Sequence, residues 1–338
     1  MKKHDFAQCL TSFFTVFLPG HLNASSNTVC SYRDAFTKLL MFFKDARQVL
    51  PEKLAFSHFD RTVVEDFLLW LENDCGCSVA TRNQRLAAIR SFFRFVQVEH
   101  PEHLFLCQEI IAIRTKRREK PVIQYLNLEE TRRLLAQPDT NTRDGRRDLA
   151  VLTLLYDSAA RVQELCDLTP SCVRSVSPAT LKLTGKGRKS RYVPLLKQSA
   201  SILLGYMAER ELNHPRKSND PLFFNRQGQK LTRGGVSYIL KKYVDKANCG
   251  GSDNISPSIT PHCLRHSKAM HLLESGVNLI YIRDFLGHED VGTTQVYARA
   301  NPETKRSAIE NAYRDIFAPP PPSWNDDPDL IHFLKGLV

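Results

Sequence analysis

The sequence has no apolar run of membrane-span length, and its start, Met1-Lys2-Lys3-His4-Asp5, lacks the apolar core of a signal peptide. Neither a membrane protein nor a secreted one is expected, and a cytoplasmic one is. There is no disulfide framework, because nine cysteines are an odd number without paired spacing and read as reduced thiols. The close pair Cys75-Gly76-Cys77 has no second CxxC or neighbouring histidine, so it reads as a turn rather than a zinc site. No acidic cluster offers itself to a metal. No Gly-Lys-Ser/Thr loop follows a strand at the spacing that cradles nucleotide phosphates, and no internal repeat recurs. Neither a metal nor an organic cofactor is expected.

Positive charge is what the chain has in excess. Its 338 residues carry 47 Lys and Arg against 36 Asp and Glu, a formal net charge of +11. Lys and Arg that displace counterions from phosphates give sequence-independent affinity, so the natural partner is a polyanion, with a basic soluble enzyme as the alternative. The length suggests two domains and a tail.

Residues 1–113 read as a helical domain. Apolar positions recur at helical spacing over Asp5–Phe17, Ser26–Phe43, Thr62–Leu71 and Val79–Val96, as at Phe36, Leu39, Leu40 and Phe43. On the last of these, Leu86, Ile89, Phe92 and Phe93 are the core-facing residues. Arg82, Arg85, Arg90 and Arg94 form a basic face that could read a DNA groove or could simply be solvated. Residues 114–122 form a basic linker ending near Pro121, in which Lys116, Arg117, Arg118 and Lys120 would track a phosphate backbone. From 123 to 317 a second domain follows. Asn127 is the expected N-cap of a helix to Ala136, and Arg143–Ser158 is a second helix, mostly apolar. Ala179–Thr184 and Ser190–Leu195 alternate with strand period around a glycine turn at Gly185-Lys186-Gly187, and so form a hairpin. Helices are expected near 197–212 and 232–247. Another runs from Thr260-Pro261, an N-cap followed by proline, to a stop at Gly276. Residues 318–338 hold Pro319–Pro322 and a short apolar stripe, Leu330, Ile331, Phe333, Leu334 and Leu337, which needs a docking groove. The fold class is mainly α with a small antiparallel β-sheet.

The chemistry-bearing residues gather in the second domain. Arg161 ends an apolar helix, where a guanidinium is costly unless paired or functional, and Glu164 three residues on could orient it. His262 and Arg265 are three apart and share a helix face. His262 and His266 could bind zinc, but that motif needs Glu at 263, where the chain has Cys. His266 and His271 read as satisfied core histidines. Tyr297 lies nine residues beyond His288 of the Leu286-Gly287-His288 turn, with Tyr281 and Tyr313 as neighbouring phenols. Non-titrating cations, a proton carrier and a side chain able to become covalently attached are what metal-free chemistry on a phosphodiester needs.

In this order, Arg161, Lys186, His262-x-x-Arg265, Leu-Gly-His288 and Tyr297 closely resemble the tyrosine recombinase (phage-type integrase) family. The resemblance covers about 123–317 strongly and the helical domain more loosely, as a SAM-like core-binding domain. It is most similar to Xer-type and simple transposon integrases without an arm-binding domain. Where the family often has Gly-Leu before the first arginine, this chain has Ala159-Ala160. The resemblance implies a mixed α/β catalytic domain and a site-specific recombinase that cuts and rejoins DNA through a 3′-phosphotyrosyl link and a Holliday junction. It implies Arg161 and Arg265 as a phosphate clamp, Tyr297 as nucleophile and His262 as its base. Lys186 would protonate the leaving 5′-oxygen, and His288 would hydrogen-bond the phosphate. The expected working unit is a homo-tetramer on two double-stranded DNA sites, with the tail docked in trans and accessory proteins as possible partners. A type IB topoisomerase, monomeric with the same chemistry, and a DNA-binding regulator with a decayed site are the alternatives. The apolar tail argues against the first and the full set of six residues against the second.

Overall fold

The computed structural model describes residues 5–117, 123–185, 187, 189–249, 254–288, 294, 295, 297 and 334. The chain divides into two compact units, Met1–Pro121 and Val122–Val338.

The first unit is helical, as the spacing of its apolar residues predicts. Helix α1 (Asp5–Ser12) runs into a π-helical stretch, Phe13–His21, where a regular helix to Phe17 is expected. Pro19 lies inside that stretch and has no N–H to give to an α-helical ladder, and the exit is bonded from Leu22 N to Phe17 O. Helices α2 (Ser26–Arg47), α3 (Arg61–Asn73), α4 (Val79–Glu99) and α5 (Leu104–Ala112) complete the unit. Ser25, Asp60 and Ser78 cap α2, α3 and α4 by accepting the N–H of Thr28, Val63 and Thr81. The core is aromatic. Phe6, Phe13, Phe36, Phe56 and Phe92 interlock edge-on and stacked with centroids 5.2–6.5 Å apart.

In the second unit α6 (Leu128–Leu135) opens on Asn127. Its side chain accepts from Glu130 N at 2.8 Å while Glu130 Oε2 accepts from Asn127 N at 2.7 Å. Helix α7 (Arg143–Asp157) is buried at ten of its fifteen residues. The short α8 (Val162–Cys166) leads to a three-stranded antiparallel sheet of β1 (Val173–Arg174), β2 (Thr180–Thr184) and β3 (Ser190–Pro194). The hairpin pairs Leu181 with Val193 and Thr184 with Ser190. Strand β1 adds an edge of two residues, too short to show an alternation in sequence. Helices α9 (Lys197–Glu209), α10 (Arg233–Asn248), α11 (Pro261–Glu274) and α12 (Leu279–Leu286) follow. Leu152, Leu155, Leu181, Leu183, Val193, Leu203, Phe223, Leu240 and Leu264 share the main core. A smaller cluster of Ala159, Ala269, Met270, Leu273, Ile282, Leu286 and Tyr297 lies beside it.

The turn after α7 forms without glycine. Ala159 takes φ +47, in the left-handed region, and is completely buried. Holding an alanine there costs about 1–2 kcal/mol, and its methyl group recovers part of this in the small cluster. Ala159→Gly should therefore leave stability within ~1 kcal/mol, because relief of strain is offset by the lost methyl and the freer unfolded chain. Ala159→Val adds β-branching at positive φ in a packed site and should cost more than ~2 kcal/mol. Chemical denaturation measures both, and a valine variant as stable as wild type would disprove the strain.

Candidate active site

Three segments deliver the site. The turn after α7 brings Arg161, α11 brings His262, Arg265 and His266, and the end of α12 brings Gly287 and His288. Thr260 sits at the N-cap of α11 with Pro261 at its first position, as expected, and the Thr260 hydroxyl lies 3.3 Å from Cys263 Sγ. Cys263, where a zinc helix would need Glu, is thus part of the helix start.

The two arginines meet at successive carbonyls of one helix end. Arg265 is 1% exposed, and its two Nη atoms donate to Ala159 O and Leu286 O, both at 2.6 Å. Arg161 donates to Gly287 O at 3.2 Å. The C-terminal carbonyls of a helix carry partial negative charge, so α12 is oriented to hold both cations. Burial, with the charges of Arg161 and Arg191, lowers Arg265 to about 10, which leaves it cationic at neutral pH. Its Nε is buried with no hydrogen-bond partner among the described residues.

Glu164 orients Arg161, as the spacing suggests, accepting from its Nη1 at 2.8 Å and from its backbone N–H at 2.9 Å. A third arginine, not singled out in the sequence, completes the arrangement. Arg191 of β3 donates Nη1 and Nη2 to the two Glu164 oxygens at 3.1 and 2.8 Å, and Nε to Phe285 O at 3.0 Å. Burial pushes the Glu164 carboxyl up, but the bonds and charges of Arg191 and Arg161 together hold it at about 2, below its ordinary 4.5. A carboxyl depressed in the folded state stabilises above its unfolded pKa, and this stability is lost as pH falls through about 2. Arg191→Ala should raise the acid-unfolding midpoint and loosen the carboxylate that Arg161 pairs with, because Glu164 loses both bonds from Arg191. Circular dichroism against pH checks the first effect, and an unmoved midpoint would show that Arg161 alone holds Glu164.

Lys186 lies outside the described residues, but its neighbour Gly185 is at the site. A Cβ on Gly185 would fall 2.8 Å from Glu164 Oε1 and 3.4 Å from Arg161 Nη1. The β2–β3 turn therefore starts against the Glu164–Arg161 pair, and a side chain at 185 would have to displace the Glu164 carboxylate.

The histidines differ from expectation. The phenol of Tyr297 is 2% exposed and lies 2.7 Å from Nδ1 of His266, not beside His262. His266, expected as a core histidine, instead bridges the site, with the His262 ring edge-on to it at 4.3 Å between centroids. The reason is helical geometry: residues 262 and 266 are one turn apart, so both lie on the face that Arg265 shares. Burial raises the Tyr297 pKa and Arg265 opposes the rise. Burial lowers the pKa of His262, and it lowers His266 and His288 to about 4 with help from neighbouring cations. His288 is tied through Nδ1 to the Thr294 hydroxyl at 3.1 Å. His271 accords better with a structural role, meeting the Tyr156 hydroxyl at 2.9 Å. Behind the arginines, Lys268 and Asp157 form a buried pair at 2.9 Å that joins α11 to the end of α7. Tyr281 is 71% exposed rather than packed, and Tyr313 lies outside the described residues.

In the first unit the expected basic face of α4 is partly inward. Arg82 is 7% exposed and donates to Asn83 Oδ1 at 3.0 Å and Arg114 O at 3.5 Å. Arg90 donates to Ile113 O, and Arg85 donates to Cys77 Sγ at 2.9 Å. Arg82 and Arg90 thus satisfy carbonyls where the chain leaves α5, a use that spacing on α4 alone does not reveal. Lys116 pairs with Glu72 at 2.5 Å, and Arg117 is exposed. Arg118, Lys120 and, except for Leu334, the tail stripe lie outside the described residues.

Among the described residues no helix is long and apolar enough to cross a membrane. The sequence matches the phage integrase family over residues 124–304 and the phage integrase N-terminal SAM-like domain over 13–100. It is 36% identical to a candidate integrase/recombinase, y4rC, of Sinorhizobium fredii over 100% of both chains. It is 33% identical to tyrosine recombinase XerD of Listeria monocytogenes, covering 84% of this chain and 91% of the relative. In fold it is similar to the integrase of transposon Tn1549 solved with transposon right end DNA. That match has TM-score 0.68 and 17% identity, covering 90% of this chain and 98% of the other. The XerH recombinase bound to its difH substrate is also similar, with TM-score 0.65 and 21% identity over 90% and 83% of the two chains.

Proposed function

Because the chain belongs to the phage integrase family of tyrosine recombinases, whose members cut and rejoin DNA strands, we propose that it binds double-stranded recombination sites and that Tyr297 carries the covalent link. The observation that carries this reading is the joining of Arg161 and Arg265 to the Leu286 and Gly287 carbonyls, with the buried Tyr297 phenol in the same cluster. Negative charge grows on the non-bridging oxygens as a nucleophile attacks phosphorus, and two guanidiniums meet it with planar, multidentate donors. Tyr297 attacks the phosphorus to give a 3′-phosphotyrosyl bond. Lys186 supplies a proton to the departing 5′-oxygen, and His262 and His288 line the phosphate site. Exchange of the 5′-hydroxyls between two such links re-forms the backbone without an external energy source.

Residues 1–113 form the core-binding domain and 123–317 the catalytic domain in this reading, and 114–122 tracks the DNA backbone. The Lys116 side chain is half exposed in its pair with the mostly buried Glu72, so its ammonium is within reach of a DNA phosphate. The working unit is a tetramer on two sites, with residues 319–338 docked on a neighbouring protomer. Four prolines make a stiff spacer before the apolar stripe, which supports docking away from its own domain. The nine cysteines are thiols rather than disulfides, which supports work in a reducing cytosol. Integration or excision of a mobile element, and resolution of chromosome dimers, are the two roles this chemistry serves.

The test is a nicked suicide duplex carrying candidate sites. Wild type should leave a denaturation-resistant adduct whose sequenced junction identifies the cut. On native gels, deletion of 319–338 should keep one-site binding and weaken two-site complexes. No adduct on any supercoiled or linear library would refute the enzyme, and unchanged two-site assembly would refute docking in trans.

A further inference from the structure

A buried phenol needs a partner to take its proton, and the partner at hand is not the histidine of the His-x-x-Arg pair. Tyr297 is enclosed by the Ala159–Met270–Ile282–Leu286 cluster, and burial holds its hydroxyl protonated at neutral pH. A base must lie within about 2.6–3.2 Å of that proton. His266 Nδ1 lies 2.7 Å from Oη, while the His262 ring meets His266 edge-on. The angle between the two imidazole planes, 70°, puts the edge of one toward the face of the other.

We infer that His266 is the catalytic base of this recombinase, accepting the Tyr297 proton once a DNA phosphate occupies the arginine clamp. The inference rests on the cleavage reading above and assigns one of its steps. In the cutting direction the Oη–H bond breaks, its proton passes to His266 Nδ1, and Oη bonds to phosphorus. The P–O5′ bond breaks and O5′ takes a proton from Lys186. In rejoining, a 5′-hydroxyl attacks, its proton returns to Lys186, the P–Oη bond breaks, and His266 restores the proton to Tyr297.

The electrostatics make this step conditional on DNA. Burial, then His262, then Arg265 depress the basicity of His266, to about 4. Of the groups around it, Arg265 and His262 share α11, and Arg161, Arg191, Glu164 and His288 surround the Arg265 guanidinium or its anchoring carbonyls. A phosphodiester in the clamp brings negative charge to Arg161 and Arg265 and offsets the field that weakens the imidazole. His266 thus remains neutral, with a lone pair for the phenol, and gains basicity when substrate arrives. A nucleophile activated only by its substrate is protected against idle chemistry.

The experiment measures single-turnover adduct formation on the nicked duplex for full-length protein, with Tyr297 either natural or replaced by 2,3-difluorotyrosine, a more acidic phenol. His266→Ala should slow cleavage ~10²–10⁴-fold, the usual contribution of a positioned base. His266→Asn keeps an acceptor where Nδ1 stands but cannot carry a proton, and should be nearly as slow. Difluorotyrosine should restore most of the rate to both variants and change wild type by less than ~10-fold. A bridging 5′-phosphorothiolate, whose thiolate leaves without an acid, should rescue neither. An asparagine variant within a few-fold of wild type would mean that the hydrogen bond only positions Tyr297. Rescue of His262→Ala instead of the His266 variants would move the base to His262. Gel-shift affinity for the same duplex verifies that each variant is folded, and the asparagine variant serves if the alanine one is not. Failure of wild type to form any adduct would overturn the cleavage reading itself, and so is distinct from these outcomes.

Discussion

Tyr297→Phe should abolish the covalent protein–DNA adduct while leaving duplex affinity within ~3-fold of wild type. The ring keeps its place against Ala159, Met270, Ile282 and Leu286, and what is lost is the oxygen proposed to bond to phosphorus. A deletion this small does have a structural cost, because the hydroxyl is buried and meets His266 Nδ1 at 2.7 Å. Leaving that nitrogen without a partner should lower stability by about 1 kcal/mol, well short of unfolding a domain. Tyr281 is exposed on α12 and makes no such contact among the described residues, so the loss should be total and Tyr281→Phe should leave the adduct intact. The assay is a suicide duplex run on a denaturing gel, with a gel shift on the same DNA. An adduct formed by Tyr297→Phe would give the nucleophile to another residue, and loss of binding together with the adduct would mean that the hydroxyl is structural.

Much of this site is legible in sequence because its chemistry fixes residue types at short spacings. Arg161 with Glu164, and His262 with Arg265, each lie within one helical turn, so the ion pair of the first and the shared face of the second follow from local geometry alone. The α6 cap and the β2–β3 hairpin are legible for the same reason, since Asn127–Glu130 and the glycine turn are local devices. Arg191 is not legible. It reaches Glu164 across 27 residues of chain, and an arginine on a half-exposed strand carries no local sign of that use. The Tyr297–His266 contact spans 31 residues, and helical spacing leaves two histidines on one face without deciding which meets the phenol. Arg82 and Arg90 are equally ambiguous in sequence: an arginine stripe that binds phosphates has the same period as one that caps the carbonyls of the next segment. The alanine at 159 hides its left-handed backbone, since nothing but the fold requires φ to be positive there.

Arg265→Lys should be the more damaging of the two lysine exchanges in the clamp, and in a way that separates anchoring from catalysis. In the proposed reading both arginines bind the scissile phosphate, so each exchange should slow cleavage at least ~10²-fold, because an ammonium cannot present two donors in one plane. Their surroundings differ. Arg161 is 39% exposed on its side chain and shares Glu164 with Arg191, so a lysine there keeps a carboxylate partner and stability should change by less than ~1 kcal/mol. Arg265 is buried and spans Ala159 O and Leu286 O, two carbonyls from different parts of the chain. A lysine reaches one of them at most. The other is left buried without a donor, at about 1–3 kcal/mol, and the left-handed turn at Ala159 loses its tie to α12. Arg265→Lys should therefore lower the melting temperature as well as the rate, whereas Arg161→Lys lowers the rate alone. Thermal unfolding beside single-turnover cleavage reads both quantities. Equal stability of the two variants would show that the carbonyl bridge contributes nothing to the fold. Cleavage within a few-fold of wild type for either would remove that arginine from the clamp.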